Sequence, residues 1–140
     1  MKLKIKKLNP DAIIPSYAHP GDVGLDLHSL EDYTLQPGER KGFDLGFATE
    51  FPTGYAAIIK DKGSVAFKGG IHTLGGVYDA GYRGEYNVIL INLSKEPYKI
   101  KSGDKLAQLI IYPVAIAKIK EVQKLLDTNR GAGRFGSTGK

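Results

Sequence analysis

A glycine-containing turn separates two β-prone runs in the segment Tyr98-Lys99-Ile100-Lys101-Ser102-Gly103-Asp104-Lys105-Leu106-Ala107-Gln108-Leu109-Ile110-Ile111. The apolar run after this turn continues to Ile116. Short apolar or alternating runs bounded by glycine and proline predict strands. Similar runs occur at Leu3–Leu8, Gly24–Leu30, Gly42–Ala48, Tyr55–Ile59 and Tyr86–Asn92. The sequence therefore predicts an all-β domain, arranged as an antiparallel sandwich or jelly roll.

Two of the turns are predicted to close hairpins. Gln36-Pro37-Gly38-Glu39-Arg40 and Lys101-Ser102-Gly103-Asp104-Lys105 each follow one β-prone run and precede another, and their glycines can adopt positive φ. Helix-compatible apolar spacing occurs only at Lys118–Leu126. Because Ile119 and Val122 are β-branched, the pattern does not decide between a helix and an outward-running strand for this segment.

The composition is that of a globular domain. The chain has 140 residues, of which 41% are hydrophobic and 25% are charged, and this length suits one domain with a real core. No stretch approaches the roughly 20 apolar residues of a membrane span, and Met1–Lys7 lacks the apolar run of a signal peptide. We therefore expect a cytoplasmic protein without a membrane partner.

Charge and metal-ligand content narrow the possible partners. The chain has no cysteine, and its three separated histidines, His19, His28 and His72, make no zinc cluster. Any metal would be a hard cation brought largely by a ligand. The net charge of +5 indicates an anionic partner, but no nucleic-acid motif surrounds the lysines, so small phosphorylated ligands fit as well as a polymer.

The C-terminal segment Arg130–Lys140 has the composition of a nucleotide clamp. It combines glycines with Arg130, Phe135, Ser137 and Thr138. Glycines let backbone N–H groups approach phosphate, arginine offers a planar fork, hydroxyls add donors, and the aromatic ring can stack on a base. Because glycine-rich termini are often disordered, a frayed tail is the alternative.

Two internal segments could carry chemistry. Asp79 lies between glycine turns in Gly75–Glu85, where a carboxylate could orient and deprotonate water, although an Asx turn that closes a hairpin would look the same. Asp61–Ala66 places a cation, a hydroxyl and glycine N–H groups in one turn. That combination suits phosphate, and an ordinary hairpin is the alternative.

Together, these segments resemble the five motifs of the trimeric dUTPases over nearly the whole chain. The matching stretches are Gly21–Ser29, Lys62–Ala66, Gly76–Glu85, Gly103–Leu109 and the tail. The resemblance implies a homotrimer of distorted jelly rolls, of the β-clip type of barrel, with residues 1–129 as the domain and 130–140 as a flexible tail that closes over an active site.

The resemblance also implies the reaction. dUTP would be hydrolysed to dUMP and pyrophosphate with Mg²⁺, which limits uracil incorporation into DNA and supplies dUMP for thymidylate synthesis. Asp79 would be the general base, and the metal would be held mainly by the substrate phosphates, with Asp26 as an outer-shell support. The implied partners are dUTP and two further copies of the chain, which would share their active sites. No stable complex with nucleic acid is implied.

The remaining site residues follow from the same resemblance. Tyr82 would pack under the deoxyribose, Gln108 would reach the base through water, and Phe135 would cover the base. A narrow hairpin would bind uracil through residues Thr73, Gly76, Val77 and Tyr78. The phosphates would contact Lys62, Gly63, Ser64, Arg130, Gly136, Ser137 and Thr138.

The chain departs from the family pattern at three places. Lys62-Gly63-Ser64 stands where Arg-Ser-Ser or Arg-Ser-Gly is usual, so a point charge replaces the arginine fork and one hydroxyl is missing. Thr73 stands where some members place an asparagine against the base, which shifts base recognition toward main-chain groups. Arg134 replaces a frequent glycine and adds charge near the triphosphate.

Two alternatives remain. A dCTP deaminase of the same fold would need a glutamate at the position of Ile89, and isoleucine cannot transfer protons. A regulatory nucleotide-binding protein would keep the pocket without catalysis, although Asp79 and the tail argue against a role in binding alone.

Overall fold

A computed structural model of the chain describes residues 1–139; Lys140, the last residue of the predicted tail, lies outside the described residues. The described chain is built mainly of short strands, with one short helix, α1. In chain order the elements are β1 Lys4–Lys7, β2 Leu25–His28, β3 Tyr33–Leu35, β4 Arg40–Asp44, β5 Phe47–Glu50, β6 Tyr55–Asp61, α1 Gly63–Gly69, β7 Ile71–Leu74, β8 Val77–Asp79, β9 Asn87–Asn92, β10 Tyr98–Ile100 and β11 Lys105–Pro113.

These strands form four open antiparallel sheets. The largest has the order β2-β11-β6-β8, a second has the order β4-β9-β7, and two pairs consist of β1-β5 and β10-β3. The all-β prediction is confirmed. Within residues 1–139 these sheets keep open edges and do not close into a barrel.

The two predicted hairpins are wrong in their pairing, although their turns exist. Gly38 and Gly103 have φ of 74° and 89°, as expected for tight turns. The strands on either side of each turn pair elsewhere, because β3 pairs with β10, β4 with β9, and β11 with β2 and β6. Local turn residues reverse the chain, but the next strand joins another sheet because its apolar face is buried there.

The predicted single strand Gly42–Ala48 is two strands. The chain bends at Leu45-Gly46, and Gly46 has φ of 70°. A Cβ on Gly46 would come within 2.8 Å of the Asn9 Cβ and 2.9 Å of the Leu30 Cδ1. The N-terminal segment therefore packs directly on this bend, and the apolar pattern gave no indication of it.

The core draws side chains from all four sheets. Its fully buried members include Leu27 of β2, Phe43 of β4, Phe47 of β5 and Leu109 of β11. At one side the rings of Phe47, Tyr86 and Tyr78 stack, with centroids 5.5 Å and 3.9 Å apart. This stack lies directly beneath the segment that carries Asp79 and Tyr82.

The helix α1 lies where the sequence indicated only a glycine-rich turn. It ends at Gly69 and is capped by Gly70, whose φ is 64° and whose N–H donates to the Ala66 carbonyl at 3.0 Å. The segment Lys118–Leu126, for which a helix and a strand were both open, is neither. Its apolar side chains, such as Ile119 and Leu126, are almost fully exposed, so one copy of the chain offers no contact that would fix a regular structure.

Among residues 1–139, no helix has the length and apolar character needed to cross a membrane.

Candidate active site

Asp26 forms the centre of a charged cluster at one end of the largest sheet. Its Oδ1 lies 2.7 Å from the Lys62 Nζ, and its Oδ2 lies 2.6 Å from the Lys105 Nζ. β2 and β6 both pair with β11, which brings Asp26 and Lys105 into adjacent strands and places Lys62 directly after β6. Three segments that are distant in sequence therefore converge through the register of a single sheet.

Burial and hydrogen bonding oppose each other at Asp26. The side chain is only 5% exposed, and this burial raises the pKa of the carboxyl, but hydrogen bonds from Lys105 and Lys62 outweigh it and hold the pKa below its ordinary value of 3.8. The cluster carries two positive charges and one negative charge at neutral pH. It therefore retains a positive charge that can attract an anion.

A small cavity of about 240 Å³ opens beside this cluster. Gly24, Asp26, Lys62 and Gln108 line it, together with Ala18, Asp22 and Val23. Gln108 packs against the bare backbone of Gly24 and donates from Nε2 to the Asp61 carbonyl at 2.8 Å. The cavity thus joins three of the motif segments, 21–29, 62–66 and 103–109, in one place.

The start of α1 leaves its residues accessible. Gly63 and Ser64 are both exposed, and they follow Lys62 directly. Lys62 precedes the helix in an extended conformation, and its side chain does not cap the helix because it contacts Asp26 instead. The contact of Lys62 with Asp26 therefore places the exposed Gly63 and Ser64 at the edge of the charged cluster.

The segment Thr73–Tyr78 makes a sharp connection between two sheets. β7 pairs with β9, whereas β8 pairs with β6, so the predicted hairpin is a crossing between sheets. Gly75 and Gly76 have φ of 65° and 85°, which only glycine adopts without strain. The Gly76 carbonyl accepts from the Ile59 N–H at 2.8 Å, and an added Cβ would come within 2.8 Å of the Ile59 Cβ.

Asp79 ends β8 with its side chain exposed. Within residues 1–139 its carboxylate accepts no hydrogen bond from the protein, and its carbonyl accepts from the Tyr82 N–H at 3.0 Å. The Tyr82 ring is half-exposed, and its hydroxyl donates to the Glu85 carbonyl at 3.1 Å. Both side chains are available to a ligand or to another copy of the chain.

Tyr78 points in the opposite direction. Its hydroxyl donates to the Asn87 carbonyl at 2.8 Å and accepts from the Asn87 N–H at 3.0 Å, while its ring stacks on Tyr86. Burial raises the pKa of Tyr78. Tyr78 can therefore serve the predicted base site only through its backbone, because its side chain fixes β8 to β9.

The tail does not fold onto the rest of its own chain. Residues 130–138 form turns and are exposed, including Gly136, Ser137 and Thr138. The Phe135 ring is fully exposed, and the Arg130 Nε donates to the Gly133 carbonyl at 3.2 Å. One copy of the chain thus brings together the residues around Asp26, but not the tail.

Asp26 is the described side chain whose chemistry bears on a metal ion. No group of three or more His, Cys, Asp or Glu residues is placed to hold an ion within residues 1–139. Both oxygens of Asp26 already contact ammonium groups, although each keeps a lone pair. A carboxylate with free lone pairs fits a hard cation such as Mg²⁺, which prefers oxygen ligands and commonly keeps several waters.

Sequence reasoning missed two elements of this site. Lys105 was quoted within the segment Gly103–Leu109 but received no role, and its position opposite His28 in the register of β11 and β2 is what brings it to Asp26. Asp61 was noted only as part of a turn. Its position directly before Lys62 was the available signal, but its contacts with β7 follow from the tertiary fold.

Comparison with known proteins gives consistent results. A model of the dUTPase family matches residues 10–139. A deoxyuridine 5'-triphosphate nucleotidohydrolase of Nautilia profundicola is 51% identical over 142 residues and is covered completely, as is this chain. The enzyme of the same name from Clostridioides difficile is 45% identical, with 98% of this chain and 97% of the relative covered.

Solved structures agree with this result. A variant of the dUTPase of Staphylococcus bacteriophage 80alpha with bound dUpNHpp superposes with a TM-score of 0.93 at 26% identity, covering 99% of each chain. A variant of the dUTPase from phage phi11 of S. aureus, in which coordination of a structural Mg(II) ion is described, gives 0.84 at 26% identity, covering 91% of this chain and 100% of the other. By sequence and by structure, this chain belongs to the dUTPase family.

Proposed function

We propose that this chain hydrolyses dUTP to dUMP and pyrophosphate, and that Asp79 is the base. The family match over residues 10–139 carries the proposal. The chain is a dUTP diphosphatase by family, and its exposed Asp79 has the properties that the reaction needs. A carboxylate without a protein hydrogen bond is free to orient a water molecule and take its proton during in-line attack on the α-phosphorus.

The charged cluster supplies binding of the phosphate chain. Lys62 lies at the cavity edge next to the exposed Gly63 and Ser64. When Lys62 turns toward a phosphate, Lys105 remains on Asp26, so the buried carboxylate keeps a cation. This matters because a buried charge without a partner is costly. Lys105 therefore allows Lys62 to turn toward a phosphate without leaving the buried Asp26 carboxylate unpaired.

Cleavage also requires that charge on the leaving pyrophosphate be neutralised. Mg²⁺ carried by the triphosphate would supply Lewis-acid stabilisation of that charge. Lys62, Gly63 and Ser64 would orient the phosphates from the protein side, and Asp26 would accept hydrogen bonds from waters around the ion. Arg130, Gly136, Ser137 and Thr138 would complete the phosphate contacts when the tail closes.

Base selection is assigned to the connection Thr73–Tyr78. The positive φ values of Gly75 and Gly76 allow main-chain groups to approach the uracil edge closely, while the contact of Gly76 with Ile59 limits the space. A tight wall there would reject the methyl group of thymine. Tyr82 would pack under the deoxyribose, Phe135 would cover the base, and Gln108 would reach it through water.

The proposal includes a homotrimer with shared sites. Apolar side chains from Val114 to Leu126 are exposed in one copy, among them Ile116 and Ile119. Exposed apolar residues on an extended segment favour association with another copy. Residues 1–129 would form the domain, and the tail 130–140 would serve a site on a neighbouring copy. A cytoplasmic location, where the nucleotide pool is available, is also part of the proposal.

The test is an assay of dUTP, dCTP and dTTP with Mg²⁺ in which pyrophosphate and ammonia are measured separately. We expect pyrophosphate from dUTP at a far higher kcat/KM than from dCTP or dTTP, and no ammonia from any substrate. Ammonia from dCTP would indicate a deaminase. Nucleotide binding without either product would indicate a regulatory binder. Either result would overturn the assignment of hydrolysis.

A further inference from the structure

Asp61 forms a compact hydrogen-bond network with the first residues of the base-selecting connection. Its Oδ1 accepts from the Thr73 N–H at 2.7 Å and from the Thr73 hydroxyl at 2.6 Å. Its Oδ2 lies 2.7 Å from the Nδ1 of His72. The backbone carbonyl of Asp61 accepts from Gln108 at 2.8 Å. One residue therefore joins the end of β6, the start of the phosphate-binding turn and the connection that begins at Thr73.

The protonation of this network follows from its partners. Burial raises the pKa of Asp61, but hydrogen bonds from Thr73 and His72 outweigh it and hold the pKa below the ordinary value of 3.8. At neutral pH the carboxylate is ionised and can only accept hydrogen bonds. The Thr73 hydroxyl has a single proton, which it gives to Asp61. Toward a ligand, its oxygen then offers lone pairs only.

We propose that Asp61 is a positioning residue for base selection, which makes the Thr73 hydroxyl a hydrogen-bond acceptor matched to the N3–H of uracil. This proposal rests on the proposed function, in which the connection Thr73–Tyr78 selects the base, and adds the Thr73 hydroxyl to the main-chain groups of that connection. Uracil presents an acceptor, a donor and an acceptor along this edge, so an oxygen without a free proton can pair only with N3–H. Cytosine has a lone pair at N3, and two acceptors in contact repel each other.

His72 supports the same arrangement from the other side. By holding Oδ2, it keeps Oδ1 turned toward Thr73. The Thr73 side chain is half-buried and thus partly accessible to a ligand, whereas the Asp61 carboxylate is 29% exposed. Asp61 therefore acts through Thr73, and a direct contact of Asp61 with the base is not required.

The experiment is a double-mutant cycle that measures the ratio of kcat/KM for dUTP to kcat/KM for dCTP. Thr73→Val removes the hydroxyl, and we expect the ratio to fall about tenfold, the effect of one lost hydrogen bond. Asp61→Ala frees the hydroxyl proton, which can then pair with the N3 of cytosine, and the ratio should fall by a similar factor. In the double variant the ratio should fall no further than in Thr73→Val, because Asp61 acts on the base only through Thr73.

Two controls separate this effect from a general loss of structure. Thr73→Ser keeps a hydroxyl and should retain most of the preference. Asp32→Ala removes a carboxylate that likewise accepts from a backbone N–H, that of Ser102 at 2.9 Å, and from a cation, Lys101 at 2.7 Å, on another part of the surface. Its ratio should remain that of the wild type. Thermal unfolding of each variant reports whether the fold is retained.

The outcomes distinguish this inference from the proposed function. If the wild type turns over dUTP and prefers it to dCTP, but Thr73→Val keeps the full preference, the acceptor role of Thr73 is wrong. A hundredfold loss in the double variant would show that Asp61 acts independently of Thr73, which also overturns the inference. If the wild type does not hydrolyse dUTP, it is the proposed function that fails. Should Asp61→Ala not fold, Thr73→Val and Thr73→Ser decide the question.

Discussion

The Nζ of Lys62 donates to the Oδ1 of Asp26 at 2.7 Å and thereby links the phosphate-binding turn to the buried end of β2. The other oxygen of Asp26 contacts Lys105 at 2.6 Å. Two cations on one carboxylate let Lys62 be shared with an anionic ligand while Asp26 keeps a partner, since leaving a buried charge alone would be costly.

The pairing of Asp26 predicts acid sensitivity. The pKa of Asp26 is lower in the folded chain than its ordinary value of 3.8, so its contribution to stability is complete above pH 4 and is lost as the pH falls through the lowered value. We expect the unfolding free energy of the wild type to fall more steeply below about pH 4 than that of Asp26→Asn. Urea denaturation from pH 7 to pH 2 at fixed chain concentration measures this.

The matched control is Asp127→Asn. The Asp127 side chain is 95% exposed, and its carboxylate comes no closer than 4.0 Å to the Lys124 Nζ, so this ion pair is weak. Its acid dependence should remain that of the wild type. Equal acid slopes for Asp26→Asn and the wild type would contradict the role assigned to the ion pairs.

Lys62 should be required for phosphate binding. Lys62→Ala should lower kcat/KM for dUTP by roughly 10- to 100-fold, the usual effect of a lost hydrogen bond to a charged group. Lys62→Arg should be neutral or improve turnover, since arginine binds phosphate with two parallel bonds. Steady-state kinetics test both, with the exposed Lys99→Ala as control. An unchanged kcat/KM in Lys62→Ala would mean that the contact belongs to another residue.

Asp79→Asn should abolish hydrolysis while dUTP still binds. The substitution keeps the shape of the exposed side chain at the end of β8 but removes the base, and a positioned base contributes typically 10²- to 10⁴-fold. Turnover is measured beside calorimetric binding of dUTP. A variant that retains more than about a tenth of the wild-type rate would rule out Asp79 as the base.

Gly46 should be far less tolerant of substitution than Gly38. Both have positive φ, 70° and 74°, so alanine at either position strains the backbone by about 1–2 kcal/mol. At Gly46 the new methyl group would also meet the side chains of Asn9 and Leu30, whereas at Gly38 nothing lies within 4 Å. We expect Gly46→Ala to cost about 2–5 kcal/mol in total, because overpacking adds to strain.

Urea unfolding of both variants at one chain concentration measures the difference, with Gly38→Ala as the matched control for backbone strain alone. Equal destabilisation by the two substitutions would mean that the N-terminal segment does not pack on the bend at Gly46.

The tail should act on a neighbouring copy. An Asp79→Asn chain and a chain truncated after Asn129 should each be inactive, yet mixed trimers should recover activity. With random assembly, a site has an even chance of an intact Asp79 and an independent even chance of an intact tail, so roughly a quarter of the sites should work. Activity after co-refolding, with mixed trimers verified by native mass, is the measurement. Mixed trimers as inactive as their parents would mean that each tail serves its own chain.

The strands were the most predictable part of the fold, because alternation of apolar and polar residues is a local property. The run Tyr86–Asn92 corresponds closely to β9, Asn87–Asn92, whose residues alternate between half-buried and buried. The strands that were missed, β3, β7 and β8, have three or four residues each. Runs this short show no period by themselves, and strands of the same length, such as β1, were predicted because a longer run surrounds them.

The helix α1 and the segment Lys118–Leu126 show where local sequence patterns did not predict the structure. α1 contains glycines and no buried residue, so its sequence lacks both helix propensity and an apolar stripe. Lys118–Leu126 has the spacing of an amphipathic helix, yet no surface of its own chain receives the apolar side chains. Without packing, an isolated segment of this length gains too little to stay helical.

The sequence by itself determined the strand-rich class, the turns at Gly38 and Gly103 and the family, since these depend on local periodicity, glycine placement and the spacing of motifs. Only the tertiary structure decided which strands pair, and therefore which side chains meet. Asp26 contacts Lys62 and Lys105 because β11 lies between β2 and β6, and Asp61 accepts a hydrogen bond from the Thr73 hydroxyl because β6 ends beside β7. Such contacts depend on the register between strands that are distant in sequence, and that register is set by burial of the whole core.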